Sequence, residues 1–509
     1  MSLFNTLFLL PRNLRHSSSF KVWAKGVCIW LLGTQLFACQ QTSIAFTPVQ
    51  PPTLANYDTT SNLPRVAPIS LNQATAFIEP DIDEASLPYQ IHLLAKAPNV
   101  PLTPRLSLSA VSPNLPFENP DILQAAFQEK ARSLAITSQD TCLETLRIRV
   151  TLHSITLSIT CPAPLNQLFN TLVQFWRQDA FKPQTDASVD IDNIRRQLQL
   201  NKHLNSFSGA EIDRVWREKL LGPKHPYNST LDNTKLYDEL SHPLLQQVQQ
   251  QAFMQAKWHL FLPHNGVNQG QFDPNLSLKN WPSIETHSKK LTDVQKFPLP
   301  TQLHTLYIID APGSVQTQVR IGFAFDESAI AKIERPIACN SLAALLGRSF
   351  SGRLYYDLRE IRGLTYGVNA SCFDTPQSTN IKFYGSTAIE HTGAFVVGIL
   401  DHLKLLQSHA ISDGELNALK TYLIGEKRLE QDTPGLRESQ YLQTTLGKGS
   451  LDNSALVRRI QTLTSLQLKQ FANLGFAGQP LIVLRGDKDK ITADLKAKLP
   501  HWQLEEVNP

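Results

Sequence analysis

The feature that most constrains the fold is a pattern that occurs twice along the chain. In the first copy, the apolar stretch Ile91–Pro98 is followed by the alternating stretch Leu106–Ala110. In the second copy, Leu306–Pro312 is followed by Val319–Phe325. Each copy is typical of a strand, a proline-containing turn and a second strand. Such an internal repeat predicts two domains of similar architecture.

Helices are predicted after the repeated strands in both copies. The first copy continues into Asp121–Ala135 and the second into Arg335–Leu346. Further along, Gly393–Gln407 carries apolar residues at helical spacing, and Ser412–Glu415 is a capping box that opens another helix. Because strands and helices mix within each copy, we predict an α+β fold of two homologous domains, each a mostly antiparallel sheet packed with helices.

The chain length and the distribution of loop-forming residues suggest the domain limits. At 509 residues the chain is too long for one hydrophobic core. We predict domains over residues 85–262 and 298–509, joined by a linker at 263–297 that is rich in Pro, Asn, Gly and Ser. Residues 39–84 are rich in Thr, Pro, Gln, Asn and Ser and have little periodicity, which predicts a flexible tether.

Residues 1–38 are predicted to be a signal peptide of the lipoprotein type. A basic start is followed by an apolar run from Gly26 to Ala38, which is too short to span a bilayer stably. The run ends in Leu36–Cys39, which resembles a bacterial lipobox with Cys39 as the lipidated residue. Cleavage after Ala45 is the alternative. Because Gln40 is not the aspartate that signals inner-membrane retention, we expect a periplasmic protein anchored to the outer membrane.

The charge distribution argues against nucleic acid as a partner. The chain has 48 basic and 44 acidic residues, a formal charge of +4. The first 38 residues contain no acid and four basic residues, namely Arg12, Arg15, Lys21 and Lys25. The remaining chain therefore carries 44 charges of each sign and has no electrostatic reason to bind nucleic acid.

The cysteine spacing argues against a zinc ribbon and leaves the state of Cys142 and Cys161 open. None of the six cysteines forms a Cys-x-x-Cys pattern. Cys142 and Cys161 flank a predicted β-hairpin from Leu146 to Thr160. In an oxidising periplasm they could form a disulfide, and two buried free thiols are the alternative.

A long motif in the second copy, Leu345–Gly367, resembles a known family. It has the sequence LLGRSFSGRLYYDLREIRGLTYG. Members of the pitrilysin/insulinase family of zinc peptidases, which includes the mitochondrial processing peptidases, have a similar Gly/Ser-rich turn, then Ser-Arg-Leu, and then a helix ending in Leu-Arg-Glu-x-x-Gly-x-x-Tyr. The resemblance covers roughly residues 85–505 and is stronger after residue 300. It implies that the two domains form half of a peptidase clamshell.

The resemblance implies a substrate-binding role for Arg359 and Tyr366. In the family, an Arg and a Tyr seven residues apart face the zinc across a closed chamber and stabilise the scissile carbonyl. An Arg at a helix end and a Tyr on the next strand can converge on one peptide oxygen. Without the resemblance, a surface Arg and a sheet-packed Tyr would be the simpler interpretation.

The zinc-binding motif of the family is missing from this chain. Catalytic members carry His-x-x-Glu-His on the first helix of the first domain, where two His bind the metal and Glu acts as the base. One register places Gln124, Phe127 and Gln128 at those positions, but Gln is a poor zinc ligand and Phe cannot act as a base. Asp192 could match the third ligand, yet a lone carboxylate cannot hold catalytic zinc. We therefore predict no metal, no cofactor and no catalytic residue in this chain.

Other histidines do not replace the motif. Glu390 and His391 lack the first His, because Thr387 occupies its position, and they lie in the second domain. His225–Tyr227 resembles a family feature with a structural role. Pro263 lies between His259 and His264 and would break a helix there.

The resemblance also implies a function. Some relatives work as heterodimers in which one subunit keeps the zinc and the other keeps the Arg–Tyr pair. This chain would then be inactive alone, pair with a zinc-bearing homologue and present Arg359 and Tyr366 to peptides in the cell envelope. One alternative is a non-enzymatic peptide-binding or scaffold lipoprotein, since core subunits of respiratory complexes also resemble the family. A peptidase with an unrecognised metal site is a further alternative.

Overall fold

The computed structural model describes residues 77–78, 87–94, 104–113, 115–138, 140–177, 181, 188–229, 235–263, 272–273, 281, 304–325, 330, 334–348, 352–430, 433–446 and 453–508. The predicted signal peptide, Cys39 and His264 lie outside the described residues, as do most of the predicted tether and linker. Within the described part of the chain, no helix is both long and apolar enough to cross a lipid bilayer.

The first repeat forms a six-stranded sheet, here called sheet 1. Its strands are β1 (Phe77–Ile78), β2 (Tyr89–Leu94), β3 (Arg105–Val111), β4 (Arg147–Val150), β5 (Ser154–Thr160) and β6 (Lys257–Pro263). Their order across the sheet is β1-β2-β6-β3-β5-β4. Only β2 and β6 are parallel, and the other neighbours are antiparallel.

The second repeat forms another six-stranded sheet, sheet 2. Its strands are β7 (Thr305–Asp310), β8 (Gln316–Ala324), β9 (Thr365–Thr375), β10 (Ser378–Ala388), β11 (Leu481–Gly486) and β12 (Gln503–Glu506). Their order is β12-β7-β11-β8-β10-β9. The pairs β12–β7 and β7–β11 are parallel, and the others are antiparallel.

Five strands of each sheet have the same order and orientation. The run β2-β6-β3-β5-β4 in sheet 1 matches β7-β11-β8-β10-β9 in sheet 2, with the first pair parallel and the rest antiparallel. The sheets differ only at the remaining edge, where β1 precedes the repeat and β12 follows it. The predicted α+β class, with mostly antiparallel sheets packed with helices, is confirmed.

Helices lie between the strands of both repeats. They are α1 (Pro120–Ser138), α2 (Leu165–Arg177), α3 (Ile191–Ser208), α4 (Ala210–Leu221), α5 (Pro226–Ser229), α6 (Lys235–Asp238), α7 (His242–Gln255), α8 (Arg335–Ala343), α9 (Thr392–Ser408), α10 (Asp413–Leu429), α11 (Pro434–Thr445), α12 (Asn453–Gln461), α13 (Ser465–Gly475) and α14 (Lys488–Lys498). Two π-helical segments, Ala344–Arg348 and Tyr355–Ile361, follow α8. The predicted capping box is present at the start of α10, where Ser412 and Glu415 bond to each other's backbone nitrogen.

Parts of the predicted tether and linker are packed against the first repeat. Phe77 and Ile78, assigned to the tether, instead form β1 because their backbone pairs with the edge of β2. Phe272 and Trp281, assigned to the linker, contact the aromatic core of sheet 1. Apolar contacts of Phe272 and Trp281 explain the difference in the linker, because isolated aromatic residues in a polar segment leave no periodic pattern.

The outer face of sheet 2 is covered by a helix from the first repeat. Trp216 on α4 packs on Tyr307 and Val483 in the sheet. A Cβ at Gly322 would lie 2.6 Å from Cζ2 of Trp216, so this close approach requires glycine. Glu211 at the start of α4 accepts a hydrogen bond from Arg485, with the Nε–Oε2 distance at 2.9 Å.

The reciprocal contact covers the outer face of sheet 1. Leu442 on α11 packs on Val111 and Phe261 in the sheet. Glu438 on the same helix bonds to Arg105, with Oε2 at 2.9 Å from the nearer terminal nitrogen. Each repeat therefore completes the packing of the other repeat's sheet.

Among the described residues, two disulfides connect elements within the repeats. Cys142 and Cys161 are bonded, with their Cα atoms 5.5 Å apart, so the structure has the disulfide and not the alternative of free thiols. Cys339 on α8 is bonded to Cys372 on β9, also with a Cα separation of 5.5 Å. The sequence alone gives no reason to pair Cys339 with Cys372, which are separated by 33 positions.

Candidate functional site

A short π-helical segment carries Arg359 near its end. The segment covers Tyr355–Ile361 and is followed by Gly363, whose φ of 62° suits glycine. The backbone nitrogen of Leu364 donates to the carbonyl of Leu358 at 2.8 Å. This bond closes the helix end and directs the chain into β9. Single-turn π segments inside helices are frequent at functional sites.

A β-bulge places Tyr366 outside the regular pairing of sheet 2. Gly367 lies opposite Ser386 and Thr365 lies opposite Thr387, so Tyr366 has no partner on β10. The Thr365 hydroxyl accepts from the Gly367 nitrogen at 3.1 Å and donates to the Ser386 carbonyl at 2.5 Å. The Tyr366 side chain is 88% exposed. The bulge therefore turns this ring into solvent, and Tyr366 is not packed in the sheet.

The structure brings the two predicted substrate-binding residues together. The central carbon of the Arg359 guanidinium lies 4.7 Å from the ring centre of Tyr366 and 4.6 Å from that of Tyr355. Its Nε is also 3.4 Å from the carboxylate of Glu360. Contacts with ring faces orient a guanidinium without using its five N–H donors. The arrangement can therefore offer donors from Arg359 and the hydroxyl of Tyr366 to one ligand.

A buried ion pair anchors the start of the helical segment. Arg353 bonds to both carboxylate oxygens of Glu415, at 2.8 and 2.9 Å, and the two side chains are only 4% and 7% exposed. Glu415 also accepts from the backbone nitrogen of Ser412, as the capping box of α10 requires. Arg353, which stands where the family has the Arg of Ser-Arg-Leu, is thus structural, and it fixes the Arg359 segment to α10.

A second anchor joins the same segment to α9. The Asp357 carboxylate accepts hydrogen bonds from Arg362 Nε at 2.9 Å and from His402 Nε2 at 3.1 Å. Burial raises the pKa of Asp357, but the hydrogen bonds from His402 and Arg362 outweigh it and the pKa is lowered. Asp357 is therefore an anion at neutral pH and holds both neighbours in place.

The three residues at the expected positions of the zinc-binding motif lie in environments unlike those of metal ligands. The Gln124 amide donates to the carbonyl of Ile148 at 3.1 Å and accepts from the nitrogen of Val150 at 2.7 Å. Phe127 is fully buried and packs edge-to-face on Phe175 and Trp176, and Gln128 is exposed. A side chain engaged with backbone and a core phenylalanine do not fit a zinc site. Within the described ranges, no group of three His, Cys, Asp or Glu side chains could hold a metal.

Asp192 and the His225–Tyr227 motif, two further candidates from the sequence, make contacts that stabilise the fold. Asp192 is 75% exposed and pairs with Arg195, one turn along α3. The hydroxyl of Tyr227, in the His225–Tyr227 motif, bonds to His153 at 2.8 Å and to the Gln377 nitrogen at 3.0 Å. This motif therefore connects the two repeats.

The remaining histidine candidates lie apart from Arg359 along the fold. His259 on β6 bonds to His92 on the neighbouring β2, with a nitrogen–nitrogen distance of 3.1 Å. Glu390 and His391 form a short 3₁₀ turn between β10 and α9. Neither pair is joined to the Arg359–Tyr366 pair by a hydrogen bond or ion pair among the described residues.

Sequence reasoning missed three parts of this site. They are the bulge at Tyr366, the Asp357–His402 contact and the disulfide from Cys339 to Cys372. A Thr-x-Gly sequence at the start of a strand is a weak signal for the bulge, because Gly often marks such irregularities. The other two join residues that are far apart along the chain and have no local signature.

Comparisons with known proteins agree with the family predicted from the sequence. Residues 274–423 match the family model described as the peptidase M16 inactive domain. This match confirms the predicted resemblance to the pitrilysin/insulinase peptidases over residues 274–423. No curated protein sequence matches the chain.

Solved structures share the fold at low sequence identity. A peptidase M16 inactive domain from Pseudomonas fluorescens has a TM-score of 0.57 and 16% identity, covering 78% of this chain and 96% of that one. A chain of complex III2 from Candida albicans has a TM-score of 0.61 and 12% identity, covering 84% and 100%. The periplasmic protease PqqL from Escherichia coli has a TM-score of 0.56 and 13% identity, covering 79% and 44%. At these identities the likenesses show the fold alone.

Proposed function

We propose that this chain, whose residues 274–423 match the inactive domain of the M16 peptidases, is the non-catalytic subunit of a heterodimeric zinc peptidase. The single observation that carries the proposal is the stacking of Arg359 on Tyr366 at an exposed bulge. The metal would be supplied by a zinc-bearing homologue, because Gln124 and Phe127 do not fit one here.

The two side chains would act on the oxygen of a peptide carbonyl. Contacts with the rings of Tyr355 and Tyr366 orient the Arg359 guanidinium. The Arg353–Glu415 ion pair and the hydrogen bonds of Asp357 hold the helical segment that carries Arg359 in place. An N–H of Arg359 and the hydroxyl of Tyr366 would donate to the carbonyl oxygen as negative charge develops on it. Preorganised donors of this kind stabilise a transition state by roughly 3–4 kcal/mol.

The cell envelope is the proposed location. The disulfides Cys142–Cys161 and Cys339–Cys372 support an oxidising compartment, where such bonds form and persist. The predicted signal peptide and lipidation at Cys39 would place the chain in the periplasm, anchored to the outer membrane. The periplasmic location of one protein with the same fold is compatible with this.

The proposal is tested with the chain alone and with a zinc-bearing homologue from the same cell. We expect peptide hydrolysis only by the complex. Arg359→Ala and Tyr366→Phe should each lower the turnover of the complex about 100-fold, the typical effect of removing one such donor. Arg196→Ala and Tyr356→Phe are matched controls, because both residues are exposed and lie outside the pair.

Two results would contradict the proposal. One is chelator-sensitive hydrolysis by the isolated chain, which would mean that it holds its own metal. The other is a complex whose turnover is the same with Arg359→Ala as with Arg196→Ala.

The second candidate function is a non-enzymatic scaffold or peptide-binding lipoprotein. It is favoured by the shared fold with a chain of complex III2, which covers 84% of this chain. The two functions differ in whether Arg359 and Tyr366 contribute to peptide hydrolysis. A scaffold would assemble equally well with Arg359→Ala and would confer no peptidase activity on its partners.

A further inference from the structure

Two arginines lie side by side on β4, and the proposed function does not use them. Arg147 and Arg149 are both exposed, whereas Ile148 and Val150, which alternate with them, pack against the core of sheet 1. Because side chains alternate along a strand, both arginines lie on the face of the sheet that points away from this core. They are referred to below as the β4 arginine pair.

Neither guanidinium of the pair has a partner in the described part of the chain. Arg147 and Arg149 make no ion pair or side-chain hydrogen bond there, and Glu144, three positions before Arg147, is not bonded to it. Each of the other arginines whose side chain the structure describes makes a hydrogen bond, an ion pair or another electrostatic or ring contact. The five N–H donors of each guanidinium in the pair are therefore open to a ligand.

Protection of the sheet edge does not explain the pair. Charged side chains often keep an edge strand from pairing with another chain. The edge of β4 is already closed, however, because Gln124 binds the carbonyl of Ile148 and the nitrogen of Val150. A general excess of basic residues does not explain the pair either, since the chain after residue 38 has equal numbers of acidic and basic residues. The pair is therefore a local concentration of positive charge.

Hydroxyl groups line the face of the sheet beside the pair. Ser158 on β5 lies opposite Arg147, and Thr156 lies opposite Arg149. The Thr156 hydroxyl is 3.0 Å from that of Ser109 on β3, so the polar surface continues toward the middle of the sheet. Guanidinium and hydroxyl donors together suit a carboxylate, which only accepts hydrogen bonds.

We propose that the β4 arginine pair binds an acidic segment of the peptide substrate that has Asp or Glu at alternate positions. The inference rests on the proposed function and specifies its substrate class. Alternate residues of an extended chain are about 7 Å apart, which is also the spacing of Arg147 and Arg149 along β4. Two carboxylates can therefore meet the two guanidinium groups at once. The segment contacts the face of the sheet through its side chains, because Gln124 occupies the backbone edge.

The position of the pair predicts an effect on substrate affinity and not on the chemical step. The turn that follows β4 is joined to the β9–β10 turn by the hydroxyl of Tyr227, which bonds to His153 and to the Gln377 nitrogen. Tyr366 lies at the opposite end of β9 from that turn. Contacts made away from the reacting carbonyl stabilise the bound substrate and the transition state equally, so they lower KM and leave kcat unchanged.

The binding test uses the full chain and a fluorescently labelled heptapeptide with blocked ends, Thr-Glu-Thr-Glu-Thr-Glu-Thr. We expect the same peptide with Gln in place of Glu to bind about tenfold more weakly. The variant Arg147→Gln with Arg149→Gln should lose the same factor for the Glu peptide and none for the Gln peptide. Added salt should weaken the binding of the Glu peptide, because exposed charges are screened.

A matched control separates the site from the total charge of the chain. Lys404→Gln with Lys496→Gln removes the same net charge from exposed positions on α9 and α14. This control should bind the Glu peptide as tightly as the natural chain does. Equal affinity for the Glu and Gln peptides, or equal losses in the arginine and lysine variants, overturns the site. Pair-dependent binding to phosphatidylcholine vesicles containing phosphatidylglycerol, without binding of the Glu peptide, also overturns it in favour of a membrane surface.

Hydrolysis by the complex with the zinc-bearing homologue distinguishes this inference from the proposed function. The double arginine variant should raise KM about tenfold for a longer substrate that carries the acidic segment, with kcat unchanged. If the Glu peptide does not bind but hydrolysis still depends on Arg359, the proposed function stands without this site. If the Glu peptide binds through the arginines but Arg359→Ala leaves turnover unchanged, the acidic-segment site stands and the catalytic role of Arg359 fails.

Discussion

The hydroxyl of Tyr227 lies 2.8 Å from Nε2 of His153. Nδ1 of His153 donates to the carbonyl of Ser112 at 2.8 Å, so Nε2 accepts and the Tyr227 hydroxyl donates. The same hydroxyl accepts from the backbone nitrogen of Gln377 at 3.0 Å. One buried oxygen therefore joins the β4–β5 turn of the first repeat to the β9–β10 turn of the second.

Tyr227→Phe should weaken the contact between the repeats. The substitution removes the hydroxyl oxygen that the His153 imidazole and the Gln377 backbone nitrogen share as a hydrogen-bond partner. We expect a loss of about 1–3 kcal/mol in the free energy of unfolding, measured with urea. Tyr356→Phe is the control, because Tyr356 is exposed and should give no change. Equal unfolding curves for the two variants would show that the bond contributes nothing.

Arg353→Met should be among the most destabilising changes in the chain. It leaves the Glu415 carboxylate buried, at 7% exposure, without its cation. Breaking such a pair costs about 3–5 kcal/mol, whereas replacing both partners by apolar residues is often nearly neutral. We expect Arg353→Met with Glu415→Leu to recover much of the loss in urea unfolding, apart from the capping bond of α10. A double variant as unstable as the sum of the two single variants would contradict this account.

Gln124→Ala should release the edge of β4. The variant loses two hydrogen bonds to the backbone of Ile148 and Val150, and we expect a stability loss of about 1–3 kcal/mol. Hydrogen exchange at these two residues should speed up, and exchange in β9 should not change. Gln128→Ala is the matched control, since Gln128 is an exposed glutamine on the same helix. Unchanged exchange in β4 would mean that the amide does not protect the edge.

Acid should destabilise the contact between sheet 1 and α11 through the buried His259 and the partly buried His92. Burial, and then the neighbouring His259, lower the pKa of His92 to about 3. Burial, and then Lys257, lower the pKa of His259 to about 4. The ring of Tyr441 on α11 lies 4.0 Å from that of His92, so protonation would place charge beneath this helix.

The sign of the effect follows from where each state binds protons. Above the unfolded pKa of about 6.5, both histidines are neutral in both states. As the pH falls below that value, the unfolded chain takes up protons first, and stability is lost until the pH reaches the folded pKa values. Between pH 7 and pH 5 we expect a loss of about 2 kcal/mol for each histidine, measured by urea unfolding.

Variants separate these histidines from the other groups that titrate in the same range. His92→Phe with His259→Leu should have a smaller difference in stability between pH 7 and pH 5 than the natural chain. His409→Gln, at an exposed position, should retain the full difference. If the double variant also retains it, other groups cause the acid sensitivity.

Much of the architecture could be predicted from local patterns. The Ser412–Glu415 capping box depends on residues within a few positions of each other, and it appears as expected. The repeated strands were found for the same reason, since alternation along a strand is written in consecutive residues. The pairing of Arg359 with Tyr366 followed from the family resemblance, and the structure places the two side chains in contact.

Local sequence patterns are enough to specify the list of elements, their repetition and the absence of a His-x-x-Glu-His motif. The packing of α4 on sheet 2 and of α11 on sheet 1 depends instead on the folded chain. The same is true of the contact of Gln124 with β4 and of the bulge that exposes Tyr366. The physical reason is distance along the chain. Periodicity and capping arise between near neighbours, whereas these contacts depend on which distant surfaces bury apolar area and satisfy backbone groups together.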